Sequence, residues 1–202
     1  MAVSPRYPRT LVQQRLRPDS LRSLVKPQPL AGEVTFLSCE LVEETRQRYR
    51  PHEVKALFVG ESAPAGGTFF YCGNSNLAFY TREAFEAVLG SFGDMSGFLQ
   101  AFRDRGYYLL DLCPEPVNHL DRRPRRAARK AGIPYLASAM SGLRPAYVVV
   151  VMKEIQGDVA QALSRAGLGD VETQALPFPA QGNQPRYVAE LIDLLRKRNP
   201  LG

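Results

Sequence analysis

Apolar and polar positions alternate with several different periods along the chain, and each change of period predicts an element. Val34, Leu37, Leu41 and Val42 recur at helical spacing within residues 34–49, with acids and bases between them. That pattern predicts an amphipathic helix packed on a sheet. Residues 54–59 form a short apolar run closed by Gly60, as expected of a parallel strand buried on both faces that empties into a loop. Helices are predicted over 81–89 and 98–105, the second stopping at Gly106. A strand over 107–113 then ends in the turn Pro114-Glu-Pro116. Beyond it, 133–143 reads as helical despite Pro134, and 146–152 is the strongest strand in the chain. A helix over 158–166, a strand over 171–175, a Pro/Gly-rich loop over 177–185 and a helix over 187–198 complete the pattern.

Strands that alternate with helices in this way predict a three-layer α/β/α domain around a central parallel sheet of about four strands. Residues 1–30 differ in kind: Pro5, Pro8, Pro18, Pro27 and Pro29 stand among many arginines. They predict an arm around one short helix over 11–24, leaving 31–202 as a single α/β domain.

Composition narrows the function classes. A net charge of +6 with 26 Lys and Arg against 20 Asp and Glu favours a polyanionic partner. No stretch approaches the roughly 20 apolar residues that span a bilayer, which points to a soluble, cytoplasmic protein with no membrane partner. Cys39, Cys72 and Cys113 lie far apart, without Cys-x-x-Cys spacing, and are expected to be free thiols rather than metal ligands. Neither Gly-x-Gly-x-x-Gly nor a Gly-x-x-x-x-Gly-Lys-Ser/Thr loop is present, which leaves an unrelated nucleotide-binding fold without its usual motif.

Ligands of parallel α/β folds bind beyond the carboxyl ends of the strands. The candidate site is therefore made of residues 60–71, 111–119 and 176–186. In the first loop Glu61 is a carboxylate able to orient a water molecule, and Phe70 and Tyr71 are aromatic faces able to stack on a ligand. The alternative is that Glu61 caps the turn that follows. Gly66 and Gly67 allow close backbone approach but are also ordinary turn residues. His119 lies beyond the second strand, where it is either solvated or catalytic, and His52 precedes the first strand, far from the site. Arg122, Arg123, Arg125 and Arg126, followed by Arg129 and Lys130, form a run that is either a clamp on phosphates or a solvated helix face. Gln181, Gly182, Asn183, Gln184 and Arg186 offer further phosphate donors, or simply an exposed hydrophilic loop.

Three of these segments together resemble the uracil-DNA glycosylase superfamily. Gly60-Glu-Ser-Ala-Pro64 followed by Phe69-Phe-Tyr71 is similar to the family's water-activating loop, Gly-Gln-Asp-Pro-Tyr or Gly-Glu-Ala-Pro-Gly, with its base-stacking Phe. Tyr107–Cys113 with Pro116-Val-Asn118 resembles the strand that ends in a base-reading Asn. Residues 176–187, Leu-Pro-Phe-Pro through Arg186-Tyr187, resemble the His-Pro-Ser-Pro loop before the last helix. The resemblance spans about residues 54–198.

It implies a metal-independent, cofactor-free monomer that binds single-stranded or lesion-bearing duplex DNA and hydrolyses the N-glycosidic bond of a flipped base. Glu61 takes the catalytic place, and Ser62, Phe70, Tyr71, Asp111 and Asn118 contact the base. Arg122, Arg123, Arg125, Arg126, Gln181, Asn183, Gln184 and Arg186 contact the DNA. The alternative is a relative that binds nucleic acid without cleaving. Two positions depart from the family pattern. Asp111 stands in place of the Asn; an ionised Asp accepts hydrogen bonds but donates none, so the pocket prefers adjacent donors, or Asp111 is protonated, or uracil is not the substrate. Leu176 stands in place of the His that donates to the departing base, a loss expected to cost on the order of 100- to 1,000-fold in rate. The small Ala63 and Ala65 leave the pocket open to larger bases.

Overall fold

The computed structural model describes residues 39–198; the predicted arm, its helix over 11–24 and the start of the helix predicted over 34–49 lie outside them. Four parallel strands, β1 (Ala56–Gly60), β2 (Tyr107–Asp111), β3 (Tyr147–Val150) and β4 (Glu172–Ala175), form a sheet in the order β2-β1-β3-β4. The helices are α1 (Cys39–Arg48), α2 (Asn76–Leu89), α3 (Met95–Asp104), α4 (Arg122–Leu143), α5 (Gln156–Arg165) and α6 (Gln184–Arg198). This is the predicted three-layer α/β/α architecture. Right-handed crossovers place α2 and α3 on one face of the sheet and α4 and α5 on the other. In agreement, α2 packs against α6 and α4 against α5. No helix among the described residues is long and apolar enough to cross a membrane.

Both β1 and β2 are buried along their whole length, which explains their continuous apolar runs. Phe58 on β1 and Tyr107 on β2 join Phe85, Phe98 and Phe102 in one aromatic cluster, with neighbouring rings 4.9–6.5 Å apart and mostly tilted or edge-on. A hydrogen bond of 2.7 Å between the Thr81 and Tyr187 hydroxyls joins α2 to α6 inside this layer.

Helix starts differ most from the sequence expectation, because capping residues set them rather than apolar period. Ser75 accepts the Ala78 N–H at 3.2 Å, so α2 begins at Asn76 and not at 81. Asp94 accepts the Gly97 N–H at 2.8 Å and starts α3 at Met95. The basic run and the apolar segment after it are one helix, α4, which continues through Pro134. Gly132, Ile133, Leu136, Ala137 and Met140 form its buried stripe.

Gly132 brings α4 against the chain just beyond β2: a Cβ there would fall 2.3 Å from the Leu112 carbonyl oxygen. Gly132→Ala, although a better helix former, should therefore destabilise the fold by about 1–3 kcal/mol through overpacking. A lower urea midpoint at unchanged slope would show this, and an unchanged midpoint would refute it.

Candidate functional site

Parallel pairing of β1 with β2 sets Gly60 opposite Asp111. The two chains stay paired past the strands, the Leu112 N–H donating to the Gly60 carbonyl at 2.9 Å and the Cys113 N–H to that of Glu61 at 2.8 Å. Glu61 and Asp111 consequently emerge side by side at the carboxyl end of the sheet, and both are buried. The chain leaves β1 for β2 and then returns past β1 to β3, so the connections after β1 and β3 diverge and open a crevice between them. A cleft of about 400 Å³ lies there, within the size range of small-molecule sites. Gly60, Glu61, Ser62 and Ala63 line it from the β1 loop, Phe69, Phe70 and Asn74 from the following turn, and Asp111 and Asn118 from the β2 loop. Met152 follows β3 and Phe178 follows β4.

Each buried carboxylate is answered by arginine. Arg125 grips Glu61 as a fork, Nε donating to Oε1 at 2.8 Å and Nη2 donating to Oε2, while Arg129 Nε donates to Oε1 at 2.5 Å. Arg125 and Arg129 are one helical turn apart on α4, which is why both reach the same side chain. Burial pushes the Glu61 carboxyl up, but hydrogen bonds from Arg125 and then Arg129 outweigh it and hold the group below the ordinary glutamate value.

Asp111 is paired differently. Arg46 on α1 donates from Nη2 to Asp111 Oδ2 at 2.7 Å and from Nη1 to Glu43 Oε2 at 2.6 Å. Its guanidinium carbon lies 5.4 Å from the centre of the Phe69 ring, a cation–π contact, while Arg46 Nε is buried without a hydrogen-bond partner among the described residues. Burial holds the Asp111 carboxyl above the ordinary aspartate value, and the adjacent Arg46 charge offsets only part of that rise. Arg46 itself is shifted to firmer protonation: burial opposes its charge, but Asp111 and Glu43 prevail.

Ser62 and Asn118 bind the two loops to each other. Ser62 Oγ accepts the Val117 N–H at 3.1 Å, and Asn118 Oδ1 accepts the Ala65 N–H at 2.9 Å. Asn74 Oδ1 accepts the Phe69 N–H at 2.8 Å and steadies the aromatic turn.

Of the aromatics expected to stack on a base, Phe70 lines the cleft while also packing on Phe98 and Phe102. Tyr71 does not line it and is corrected to a core residue. Its hydroxyl accepts the Leu109 N–H at 2.6 Å and donates to the Leu109 carbonyl at 3.3 Å, satisfying the backbone of edge strand β2, and its ring stacks on Tyr49 at 5.3 Å. Leu176 is wholly buried and its N–H donates to the Val150 carbonyl at 2.8 Å. The cleft residue of that loop is Phe178. His119 is exposed in the β2 loop and does not line the cleft; His52 is exposed at the opposite end of the strands, beside Lys55 and Gly106.

Arg122, Arg123 and Arg126 are exposed on α4. A second groove of about 570 Å³ runs between α4 and the start of α5, lined by Arg122, Arg125, Arg126, Arg129 and Lys130 with Glu154 and Asp158 opposite. Arg125 lines both the cleft and this groove. Gln181, Asn183 and Arg186 are exposed before and at the start of α6 and Gln184 is half-buried; Arg186 pairs with Glu190 at 2.7 Å. Cys72 and Cys113 are free thiols, and no group of three or more His, Cys, Asp or Glu among the described residues is placed to hold a metal ion.

Arg46, Asn74 and Met152 were not singled out from the sequence, and Arg129, Phe69 and Phe178 stood there only inside the basic run and the quoted motifs, without these roles. For Arg46 the signal was present: it lies four residues after Val42 and so shares the buried face of α1. For Arg129 the signal was its spacing of four from Arg125. No protein-family model matches the chain, and no curated protein matches it.

The depressed Glu61 value has a defined pH signature. A carboxyl with a lowered folded-state pKa adds stability that is complete above the unfolded value of about 4.3 and is lost as pH falls through the folded value. Arg129→Met should raise the Glu61 pKa and move that acid loss to higher pH. Carboxyl-carbon NMR titration reads the shift directly, and an unmoved Glu61 resonance would show that Arg129 contributes nothing to the pair.

Proposed function

We propose that this protein binds DNA in the manner of a uracil-DNA glycosylase, takes a flipped base into the cleft and hydrolyses its N-glycosidic bond. The observation that carries the reading is the convergence, on one base-sized cleft, of Glu61 and Phe70 from the first resembling segment, Asp111 from the second and Phe178 from the third, beside a helix that presents Arg122, Arg123 and Arg126 outward. A carboxylate kept ionised at neutral pH is the form needed to orient water and to stabilise the positive charge that grows on the sugar as the bond breaks. Phe69 and Phe70 supply an apolar wall for the base, and the exposed arginines of α4 supply phosphate contacts outside the cleft.

A second reading, recognition without cleavage, is favoured by one specific feature: both Glu61 oxygens are already held by guanidinium groups. Arg125 and Arg129 neutralise the charge that would stabilise the sugar cation, and Leu176 supplies no donor to the leaving base.

Excision assays on oligonucleotides carrying uracil, hypoxanthine, xanthine or a mismatch separate the two. Under the catalytic reading at least one lesion yields alkali-labile product, and Glu61→Gln lowers the rate by about 100- to 10,000-fold. Binding without product from any lesion selects the second reading. If no lesion is cut and neither Glu61→Gln nor Asp111→Asn alters DNA binding, the cleft is not the DNA site.

The phosphate role of α4 is tested by salt dependence. The double substitution Arg122→Ala/Arg126→Ala should weaken binding to all sequences alike and reduce the salt slope by about one per lost phosphate contact. An unchanged slope would remove α4 from the interface.

A further inference from the structure

Resting on the base-recognition reading above, we propose that the Arg46–Asp111 pair makes the cleft selective for a guanine-type edge, a ring N–H beside an exocyclic amino group, and that Arg46 is the residue that fixes this selectivity. Asp111 lines the cleft with its Oδ2 taken by Arg46 Nη2 at 2.7 Å. Its other oxygen, Oδ1, lies over Gly60, so close that a Cβ on Gly60 would fall 2.5 Å away, and Gly60 also lines the cleft. An arginine only donates, so Oδ2 is fixed as an acceptor, and the permanent positive charge beside it favours the carboxylate over the protonated acid. Two guanidinium contacts, to Asp111 and Glu43, and the Phe69 ring fix Arg46 in place. Arg46 does not line the cleft; it acts through Asp111 and is a positioning residue.

A carboxylate of this kind discriminates by repulsion as well as attraction. Uracil presents one N–H flanked on both sides by carbonyl oxygens, so a carboxylate that accepts the N–H meets a carbonyl lone pair beside it. Adenine and cytosine present an amino group beside a bare ring nitrogen, which repels it in the same way. Guanine alone among the common bases offers two adjacent donors. Its carbonyl then needs a donor, and Asn118 retains one: its Oδ1 is occupied by the Ala65 N–H, which leaves the amide nitrogen to donate, and Asn118 lines the same cleft. The small Ala63 and the cleft volume of about 400 Å³ leave room for a purine. The class that follows is guanine altered elsewhere on its ring, with the two-donor edge intact.

The test uses the full chain and single-stranded oligonucleotides identical except at one position, which carries guanine, hypoxanthine, guanine methylated on its oxygen, uracil or an abasic site. The shared backbone contributes equally to all, so their ranking reports the base edge. Guanine should bind about 10- to 100-fold more tightly than hypoxanthine, which lacks the amino donor, and than methylated guanine, which lacks the ring N–H, the loss expected for one hydrogen bond to a charged group. Uracil should bind no better than the abasic site.

Asp111→Asn should move the preference from guanine to uracil. Arg46→Lys, which keeps the charge, should retain the guanine ranking, and Arg46→Met should lose it even where circular dichroism shows a folded chain. Uracil bound as well as guanine by the wild type, or an unchanged ranking in Asp111→Asn, would overturn the selectivity while leaving base recognition standing. Equal binding of all five oligonucleotides would overturn base recognition in the cleft together with the selectivity.

Discussion

Two carboxylates buried at neighbouring strand ends set the terms for everything around the cleft. Pairing of β1 with β2 leaves no choice about where Glu61 and Asp111 emerge, and the Glu61 charge raises the cost of ionising Asp111. Such a pair persists in a folded protein only if counter-charges are brought to it; removing one partner of a buried ion pair costs about 3–5 kcal/mol. The chain meets this from two directions, with α1 supplying Arg46 to Asp111 and α4 supplying Arg125 and Arg129 to Glu61. Two helices distant in sequence are thereby tied to the floor of the site. Gly60 belongs to the same constraint, since only a residue without a side chain lets the Asp111 carboxylate lie across β1.

Helix α4 shows how one basic run divides its work. Arg125 and Arg129 turn inward to Glu61, whereas Arg122, Arg123 and Arg126 remain exposed. Net charge overstates what is free for a partner, because arginines that neutralise buried acids are not available to phosphate. Arg125 lines both cleft and groove, so an anion in the groove and the Glu61 carboxylate compete for the same guanidinium. The cleft and the basic groove are thus linked electrostatically without any moving part between them.

The strands and the layer architecture were legible because burial on both faces leaves a continuous apolar run, and Gly60, Gly106 and the prolines mark where such runs stop. Helix starts were less legible because Ser75 and Asp94 act through single hydrogen bonds that carry no period. Tyr71 was misplaced for a related reason. Next to Phe70 it looks like a second stacking ring, but its hydroxyl closes the open edge of β2, and which strand is at an edge depends on sheet order that local sequence does not state. Arg46 was hidden by the habit of assigning charge to the solvent side of an amphipathic helix. Its spacing from Val42 put it on the buried face, and only the presence of Asp111 behind that face makes the position tolerable.

The pairing of both carboxylates also bears on the kind of ligand proposed for the cleft. With Glu61 and Asp111 each compensated, the interior is dipolar rather than strongly charged, and buried dipoles favour neutral groups that match them hydrogen bond for hydrogen bond. A phosphate in the cleft would have to displace Glu61 from its two arginines, while on the outer face of α4 it meets free guanidinium groups at no such cost. Phe69, Phe70, Met152 and Phe178 give the cleft apolar surface, and Glu61, Asp111, Asn74 and Asn118 give it polar groups, a mix that on the proposed reading holds a flat heterocycle by its edge. Charge outside and matched dipoles inside follow from the same arginines, since each one spent on a buried acid moves the cleft toward neutrality and leaves the remaining basic residues to face solvent.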